Sequence, residues 1–481
     1  MSQRETVEEN PAGRNTAELR IGAWYAEELR TLRFPDGWEV HCLHPSDAPE
    51  IDGAAVRAAF ANPIAAPRLR EAARGKRSAI IAVDDLTRPT PLQRVLPTLL
   101  DELTEGGLES SQIRILLGTA AHRPMRPDEI ERKLGPGVAS RYQVIQHDFM
   151  GPDLRHLGWV EGGPVQLNSH FLDAELRVCV GGVIPHNETG YGGGSKMVVP
   201  GVAGRETIAH FHGALPPRLA GVMEAAPGVV DRRVWSEAVA RHVGVDAVVC
   251  CAVNSRRELA GLYVGDLVEA HRAAARQAQK IGRTRVPRAL ADRCDVAVVS
   301  AYPLDTDPIQ MGKSINLAKK LSARVTVVVN SATDGIFYHG MGMGSGVHAP
   351  RLLRNLPRLL TSPHEQWAWL RGFTRALGVG SPLLAARLCY FTLNYLSYSG
   401  FAATEGTWAA DRPVAQSAEE GAEPLLFSEH FPTWGFKRKY GRGRLYRDWD
   451  ALAAVLERRF SPGCALVFPC APLQLLEIDP S

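Results

Sequence analysis

SAIIAVDDLTRPTPLQRVLPTLLDELTEGGLESSQIRILLGTAAHRPMRPDEIERKLGPGVASRYQVIQHD, residues 78–148, is the stretch that decides the fold class. Short apolar runs (SAIIAVDDL, IRILLGTA, RYQVIQHD) alternate in it with amphipathic stretches (TPLQRVLPTLLDELTEGG, RPDEIERKLG). Strand-like runs interleaved with helical periods build a largely parallel sheet covered by helices. The segment is therefore read as α/β.

The same alternation continues on the C-terminal side. LRVCVGGVI (176–184) and AVVCCAV (247–253) read as further strands, and a helix of good amphipathic period spans 266–281. A basic, proline-containing stretch, GRTRVPRALADR, follows, and then a second alternation opens with CDVAVVSAYP, SINLAKKL and ARVTVVVNSA. Near the end, DWDALAAVLERRF and CALVFPCAPLQLL read as a helix and a strand. The expected organisation is a disordered tail over 1–19, an N-terminal α/β domain over 20–285, and a C-terminal α/β domain over 286–481 with an insertion at about 335–445. A length of 481 residues suits two large domains, since single cores rarely grow much beyond about 250–300 residues.

Composition narrows the function classes. With 45 % apolar and 22 % charged residues the chain reads as a folded globular protein. The formal charge of +3 is too close to balance to imply a polyanionic partner, so nucleic acid is not expected. The polar N-terminal run lacks the apolar segment of a secretory leader, and the apolar stretch near 381–401 is broken by Arg387 and Asn394. A cytoplasmic protein with no membrane span is expected. The eight cysteines include no C-x-x-C pair, which suits reduced core residues better than a disulfide framework or zinc knuckle.

Ligands of open parallel sheets lie beyond the carboxyl ends of the strands, and four polar loops fall there. The first, DDLTRPTP, supplies Asp84, Asp85 and Arg88; a guanidinium suits a carboxylate or phosphate, although a helix cap with a surface ion pair accounts for the loop equally well by itself. The second, GTAAHRPM, supplies His122 and Arg123, and a histidine at a strand end can serve as acid or base near neutrality. The third, PHNETGYGGGSKMVVPGVAGRETIAHFHG (185–213), holds His186, Gly192, Gly193, Gly194, Lys196, His210 and His212. Its glycines let backbone approach a ligand closely. The fourth, DPIQMGK, supplies Gln310 and Lys313.

Two ordinary readings of the third loop fit poorly. A phosphate-binding G-x-x-x-x-G-K-[ST] loop fails because Lys196 follows serine and precedes methionine. H-x-H with no further ligand at zinc spacing is a weak zinc signature. His210 lies two residues from His212, would face elsewhere on the same helix, and is read as structural. His147, Asp148 and Glu188 are not separated by spacing from surface polar residues.

Taken in order, D-D-x-T-R-P, H-R-P, and P-H followed by Lys ten residues and His twenty-six residues after that histidine resemble the lactate racemase family over about residues 78–320. The resemblance implies two α/β domains with cofactor and active site at the cleft between them. It implies an isomerase, a racemase or epimerase of lactate or a related 2-hydroxy acid, working by proton-coupled hydride transfer through a 2-keto acid. The implied cofactor is a nickel-pincer nucleotide, the pyridinium-3-thioamide-5-thiocarboxylic acid mononucleotide of nickel, made by accessory cofactor-synthesis enzymes and joined covalently to Lys196. By resemblance His212 ligates the nickel, Asp85 and Gly192, Gly193 and Gly194 contact the cofactor, and His122 and His186 are the acid/base pair. Arg88, Gln310 and Lys313 contact the substrate. The family often carries tyrosine where Ile309 stands, which leaves the particular hydroxy acid open. A phosphate- or nucleotide-using enzyme on the same scaffold and a non-catalytic cofactor-binding homologue remain alternatives.

Overall fold

The computed structural model describes residues 7–8, 15–25, 27–122, 124–306, 311–332, 423–430 and 445–480. The chain divides into two compact units, Ala48–Ile281 and a second made of Met1–Asp47 with Gly282–Ser481. Both are α/β with largely parallel sheets.

The unit Ala48–Ile281 is built on a six-stranded sheet: β1 (Ala79–Val83), β2 (Ile113–Leu117), β3 (Gln143–Gln146), β4 (Leu176–Val183), β5 (Ala247–Val253) and β6 (Leu259–Gly265). Its spatial order is β3-β2-β1-β4-β5-β6, parallel throughout except for β6, which runs antiparallel to β5. Every residue of β1 and β5 is buried, which is why these strands read as continuous apolar runs instead of alternating ones. The strand order reverses between β1 and β4. At such a switch point the following loops diverge to opposite faces and leave a crevice at the carboxyl ends. The loops after β1, β2 and β4 are the first three polar loops of the sequence.

In the second unit, the described strands of the main sheet run in the order Val7–Glu8, Glu39–Leu43, Cys464–Phe468, Val296–Ser300, Val325–Val329, Glu423–Phe427 and Leu445–Tyr446. Only the first pair is antiparallel. Alternation places Val296 and Val298 in one apolar cluster and Ala297 and Val299 in another, so the sheet is covered on both faces. DWDALAAVLERRF forms the helix Trp449–Arg459, and CALVF the strand beside the central Val296–Ser300.

The structure departs from the expected domain layout at the N-terminus. Residues up to Asp47 belong to the unit that holds the C-terminus, not to an N-terminal domain over 20–285, because Glu39–Leu43 pairs in parallel with Cys464–Phe468. The tail expected to be disordered over 1–19 contains Val7–Glu8 and the start of the strand Thr16–Ile21, which pairs with Glu28–Arg33. TAELRI is half charged or polar, yet its period of two buries Ala17, Leu19 and Ile21. The insertion read at about 335–445 falls mostly outside the described residues, as does the apolar run near 381–401. Among the described residues no helix is long and apolar enough to cross a membrane.

Candidate functional site

Asp84 and Asp85 leave the end of β1 and do different work. Asp84 accepts from Gly182 N at 2.9 Å, tying the β1 loop to β4, and pairs at 2.8 Å with Lys133, whose side chain is wholly buried. Lys133 also donates to the carbonyls of Arg88 and Thr90, at 3.0 and 3.3 Å. A buried lysine so placed is structural glue for the loop that carries Arg88. The Arg88 guanidinium is itself steadied by the Thr87 carbonyl and hydroxyl, at 3.1 and 2.9 Å.

Asp85 is buried, with Oδ1 accepting from Thr87 N at 2.9 Å and Oδ2 lying 2.5 Å from His122 Nδ1. Burial alone would raise its carboxyl, but the His122 ring, by charge and hydrogen bond, holds it well below the usual carboxylate range. The imidazole therefore carries its proton on Nδ1, toward Asp85, and Nε2 is its basic nitrogen. Arg123 lies outside the described residues.

After β4 the chain makes a small hairpin, Pro185–His186 against Gly190–Tyr191. His186 is buried, and its Nδ1 accepts from Glu188 N at 3.3 Å, which assigns the opposite tautomer, with the proton on Nε2. The two histidines are thus assigned opposite tautomers, Nε2 being the acceptor in His122 and the donor in His186.

The glycine-dense turn that follows is held from beneath by a residue the motif reading did not single out. The Arg233 side chain is buried and donates to the carbonyls of Thr189 (3.4 Å), Tyr191, Gly192 (3.5 Å) and Gly193 (3.1 Å), and to Ser195 Oγ (3.0 Å). Its burial pulls the guanidinium down to about 10. His271, also buried, lies with Nε2 2.8 Å from the Gly192 carbonyl. The glycines serve packing in the Cβ direction. A Cβ on Gly192 would stand 2.8 Å from the Gly182 carbonyl, one on Gly193 2.9 Å from Val183 Cγ2, and one on Gly194 2.8 Å from the His271 ring. Gly193 and Gly194 also have φ of +68° and +59°. Room for a ligand is thus not what removes the side chains at these three positions. The turn is also a poor phosphate cradle, because Gly192 N is already bonded to Ile184 O at 2.8 Å and Lys196 N to Gly193 O at 3.3 Å.

Lys196 sits in the 3-10 turn Gly194–Met197 with its side chain buried over the Phe211 ring, Nζ 5.3 Å from the centroid. Burial, reinforced by Arg88, Arg233 and Arg232 and opposed by Glu188, lowers its amine to about 7. At neutral pH about half of such a lysine is the uncharged nucleophile.

His212 lies in the last turn of the helix Arg205–Gly213, where Thr207, Ile208 and Phe211 face the core. Its Nδ1 donates to the Ile208 carbonyl at 3.0 Å, which leaves Nε2 as the nitrogen that faces away from the helix backbone. Nε2 stands 3.3 Å from Glu188 Oε2, and the other oxygen of Glu188 pairs with Arg232 at 2.9 Å. Despite burial, which would raise it, Glu188 is held strongly ionised by His212, Arg232 and Lys196. Glu188 was indistinguishable from a surface residue by spacing, and the hairpin fold is what turns it inward. His210 packs on Trp235, ring centroids 5.0 Å apart, and His147 is fixed by the Ala203 carbonyl at 2.8 Å.

Asp85, Arg88, His122, His186, Lys196 and His212 are all carried by the loops, or the helix following them, at the carboxyl ends of one sheet. Lys313 belongs to the other unit, in the first turn of the helix Met311–Ala318, and is partly buried. Gln310 and Ile309 lie outside the described residues.

The lactate racemase N-terminal domain family matches residues 25–219. The lactate racemase of Lactiplantibacillus plantarum is 28 % identical over 323 residues, covering 64 % of this chain and 73 % of that protein. The lactate racemase of Thermoanaerobacterium thermosaccharolyticum is 27 % identical over 290 residues, covering 58 % and 66 %. Among solved structures, the lactate racemase apoprotein of T. thermosaccharolyticum superposes with a TM-score of 0.67 at 20 % identity, covering 96 % of this chain and all of that one. A Thermotoga maritima protein superposes with a TM-score of 0.55 at 16 % identity, covering 90 % and 100 %.

Proposed function

The chain belongs to the lactate racemase family, and from that premise we propose that it is an isomerase inverting the α-carbon of lactate or a related 2-hydroxy acid with a nickel-pincer nucleotide held by Lys196 and His212. The observation that carries this reading is Lys196: a buried amine at about 7, beside the same Glu188 that faces His212. A buried lysine with its amine lowered toward neutrality is suited to a covalent thioamide link, and an imidazole with Nδ1 tied to backbone is suited to offering Nε2 to a metal. The residues therefore fit the group. Asp85 and the backbone of Gly192, Gly193 and Gly194 are the proposed further contacts to it.

A 2-hydroxy acid has no carbonyl beside its Cα–H apart from an ionised carboxylate, so direct removal of the α-proton would leave a poorly stabilised carbanion. When bound, the nickel-pincer nucleotide supplies a hydride acceptor and donor, so the C–H bond breaks with its electron pair and a planar 2-keto acid forms. Arg88 binds the substrate carboxylate through a guanidinium already oriented by Thr87. His122 Nε2 takes the hydroxyl proton, its ring fixed and its positive charge balanced by Asp85. His186, entering the reaction as the imidazolium, gives its Nε2 proton to the keto oxygen when hydride returns to the other face, and is left as the neutral ring with His122 now the protonated partner. In the reverse direction the two histidines exchange roles.

The test uses protein co-expressed with accessory cofactor-synthesis enzymes, incubated with a panel of single-enantiomer 2-hydroxy acids and analysed by chiral chromatography. Inversion of at least one acid is expected. An intact mass showing the Lys196 adduct, with no inversion across the panel, would overturn the racemase reading.

A further inference from the structure

The unit that holds both termini contains a second set of donor atoms, from residues the reaction does not use. Glu39 and His41 are two apart on the strand Glu39–Leu43, and Cys464 opens the adjacent parallel strand in register with Glu39. Side chains alternate along a strand, and in-register neighbours point to the same side, so all three emerge on one face. That face carries Leu43, Leu466 and Phe468 in one apolar cluster, whereas Val40, Ala465 and Val467 belong to the cluster on the other side.

One ligand atom from each of Glu39, His41 and Cys464 lies within 4.8 Å of the other two. Ligands about 2.0–2.3 Å from a shared zinc-like ion are at most some 4–4.6 Å apart, so small rotamer changes close the set. The second observation is independent of this proximity. His41 Nε2 is buried from solvent and makes no hydrogen bond among the described residues, and the Glu39 carboxylate stands 3.5 Å from it. A buried nitrogen of that kind calls for a missing partner such as an ion. Arg293 pairs with Glu39 at 2.6 Å, and it competes for the carboxylate while also fixing its position.

We propose that Glu39, His41 and Cys464 bind a borderline divalent cation of the zinc type, with water in the fourth position. The thiolate and imidazole select against magnesium and calcium, which take oxygen ligands. Binding involves no redox change: Cys464 coordinates as thiolate and its proton passes to solvent.

Cobalt(II) added to the full-length protein is the probe, because a thiolate ligand gives a near-ultraviolet charge-transfer band that oxygen and nitrogen ligands lack. The expected result is a band that saturates at one equivalent, is displaced by zinc, is lost in Cys464→Ser, weakens at least tenfold in affinity in His41→Ala, and persists in His212→Ala. His41→Ala serves as the deciding variant if circular dichroism shows Cys464→Ser to be misfolded. A folded wild type without the band, a band that survives Cys464→Ser, or one unchanged by His41→Ala would overturn the site.

Discussion

Glu188 Oε2 stands 3.3 Å from His212 Nε2, while the other oxygen of the same carboxylate pairs with Arg232 at 2.9 Å. One buried anion thus faces the proposed metal ligand and an arginine that also donates to the carbonyls of Leu215 and His212. The end of the helix Arg205–Gly213 is positioned by this carboxylate as much as by its own packing. Glu188→Ala leaves Arg232 buried without its counter-charge, which typically costs about 3–5 kcal/mol. A clearly lower denaturation midpoint in urea is expected for the unloaded protein. A midpoint equal to wild type would remove Glu188 from the support of the site.

Asp85 fixes which nitrogen of His122 carries the proton, so Asp85→Asn should act through the tautomer. An asparagine can offer its NH2 to Nδ1 and drive the proton onto Nε2, where the ring can no longer accept one. Turnover is expected to fall by about 10²–10⁴ with KM within a few-fold of wild type, as when the acid of a catalytic triad is neutralised. His122→Ala and His186→Ala should fall comparably and keep the Lys196 adduct mass. Near-normal kcat in any of the three would take that residue out of the proton path.

Lys196 gives a pH dependence whose sign follows from its depressed amine. An ordinary lysine near 10.4 has a neutral fraction at pH 7 roughly 10³ times smaller than one at about 7. A small acylating reagent should therefore mark Lys196 of the unloaded protein well before surface lysines, read by peptide mass spectrometry. Glu188 raises the Lys196 amine, so Glu188→Gln should lower it and speed labelling at pH 6. The folded state bears a penalty for this lysine that is absent above about pH 10.4 and full below about 7. Lys196→Met should accordingly stabilise the unloaded protein at pH 6, by at most on the order of 5 kcal/mol, and not at pH 10.5. Equal stabilisation at both pH values would show that the lysine is not buried as a neutral amine.

The parts of this site that could be read in advance share a cause. β1 and β5 declared themselves because full burial makes them unbroken apolar runs, and β2 and β4 because each is buried but for one arginine at its second position; the polar loops follow directly after β1, β2 and β4. Asp85 and His122 were legible as loop residues, but their 2.5 Å contact was not, since adjacency of β1 and β2 brings them together across 37 residues. Arg233 and Glu188 were hidden for the same reason: one lies on a helix forty residues past the turn it supports, and the other inside a hairpin whose direction no local pattern records. The placement of residues 15–47 was hidden because the pairing of Glu39–Leu43 with Cys464–Phe468 joins opposite ends of the chain. Periodicity reports which face of a strand is buried, not which strand lies beside it.

Arg233 offers the most demanding test of how the glycine turn is held. Its guanidinium is the donor for the carbonyls of Thr189, Tyr191, Gly192 and Gly193, a set that one planar fork can satisfy and an ammonium cannot. Arg233→Met removes one donor from each of these carbonyls, which keep the Tyr191 amide, the Thr189 hydroxyl, the His271 ring and the Lys196 amide as partners, so each lost bond should cost about 0.5–1.5 kcal/mol. Arg233→Lys restores charge but not the fork, so it should recover only a small part of the lost stability. Both variants should also reduce the fraction of protein carrying the Lys196 adduct after co-expression with the cofactor-synthesis enzymes, because the turn positions that amine. If Arg233→Lys matched wild type in denaturation midpoint and in adduct fraction, the charge alone would hold the turn and the directional argument would fail.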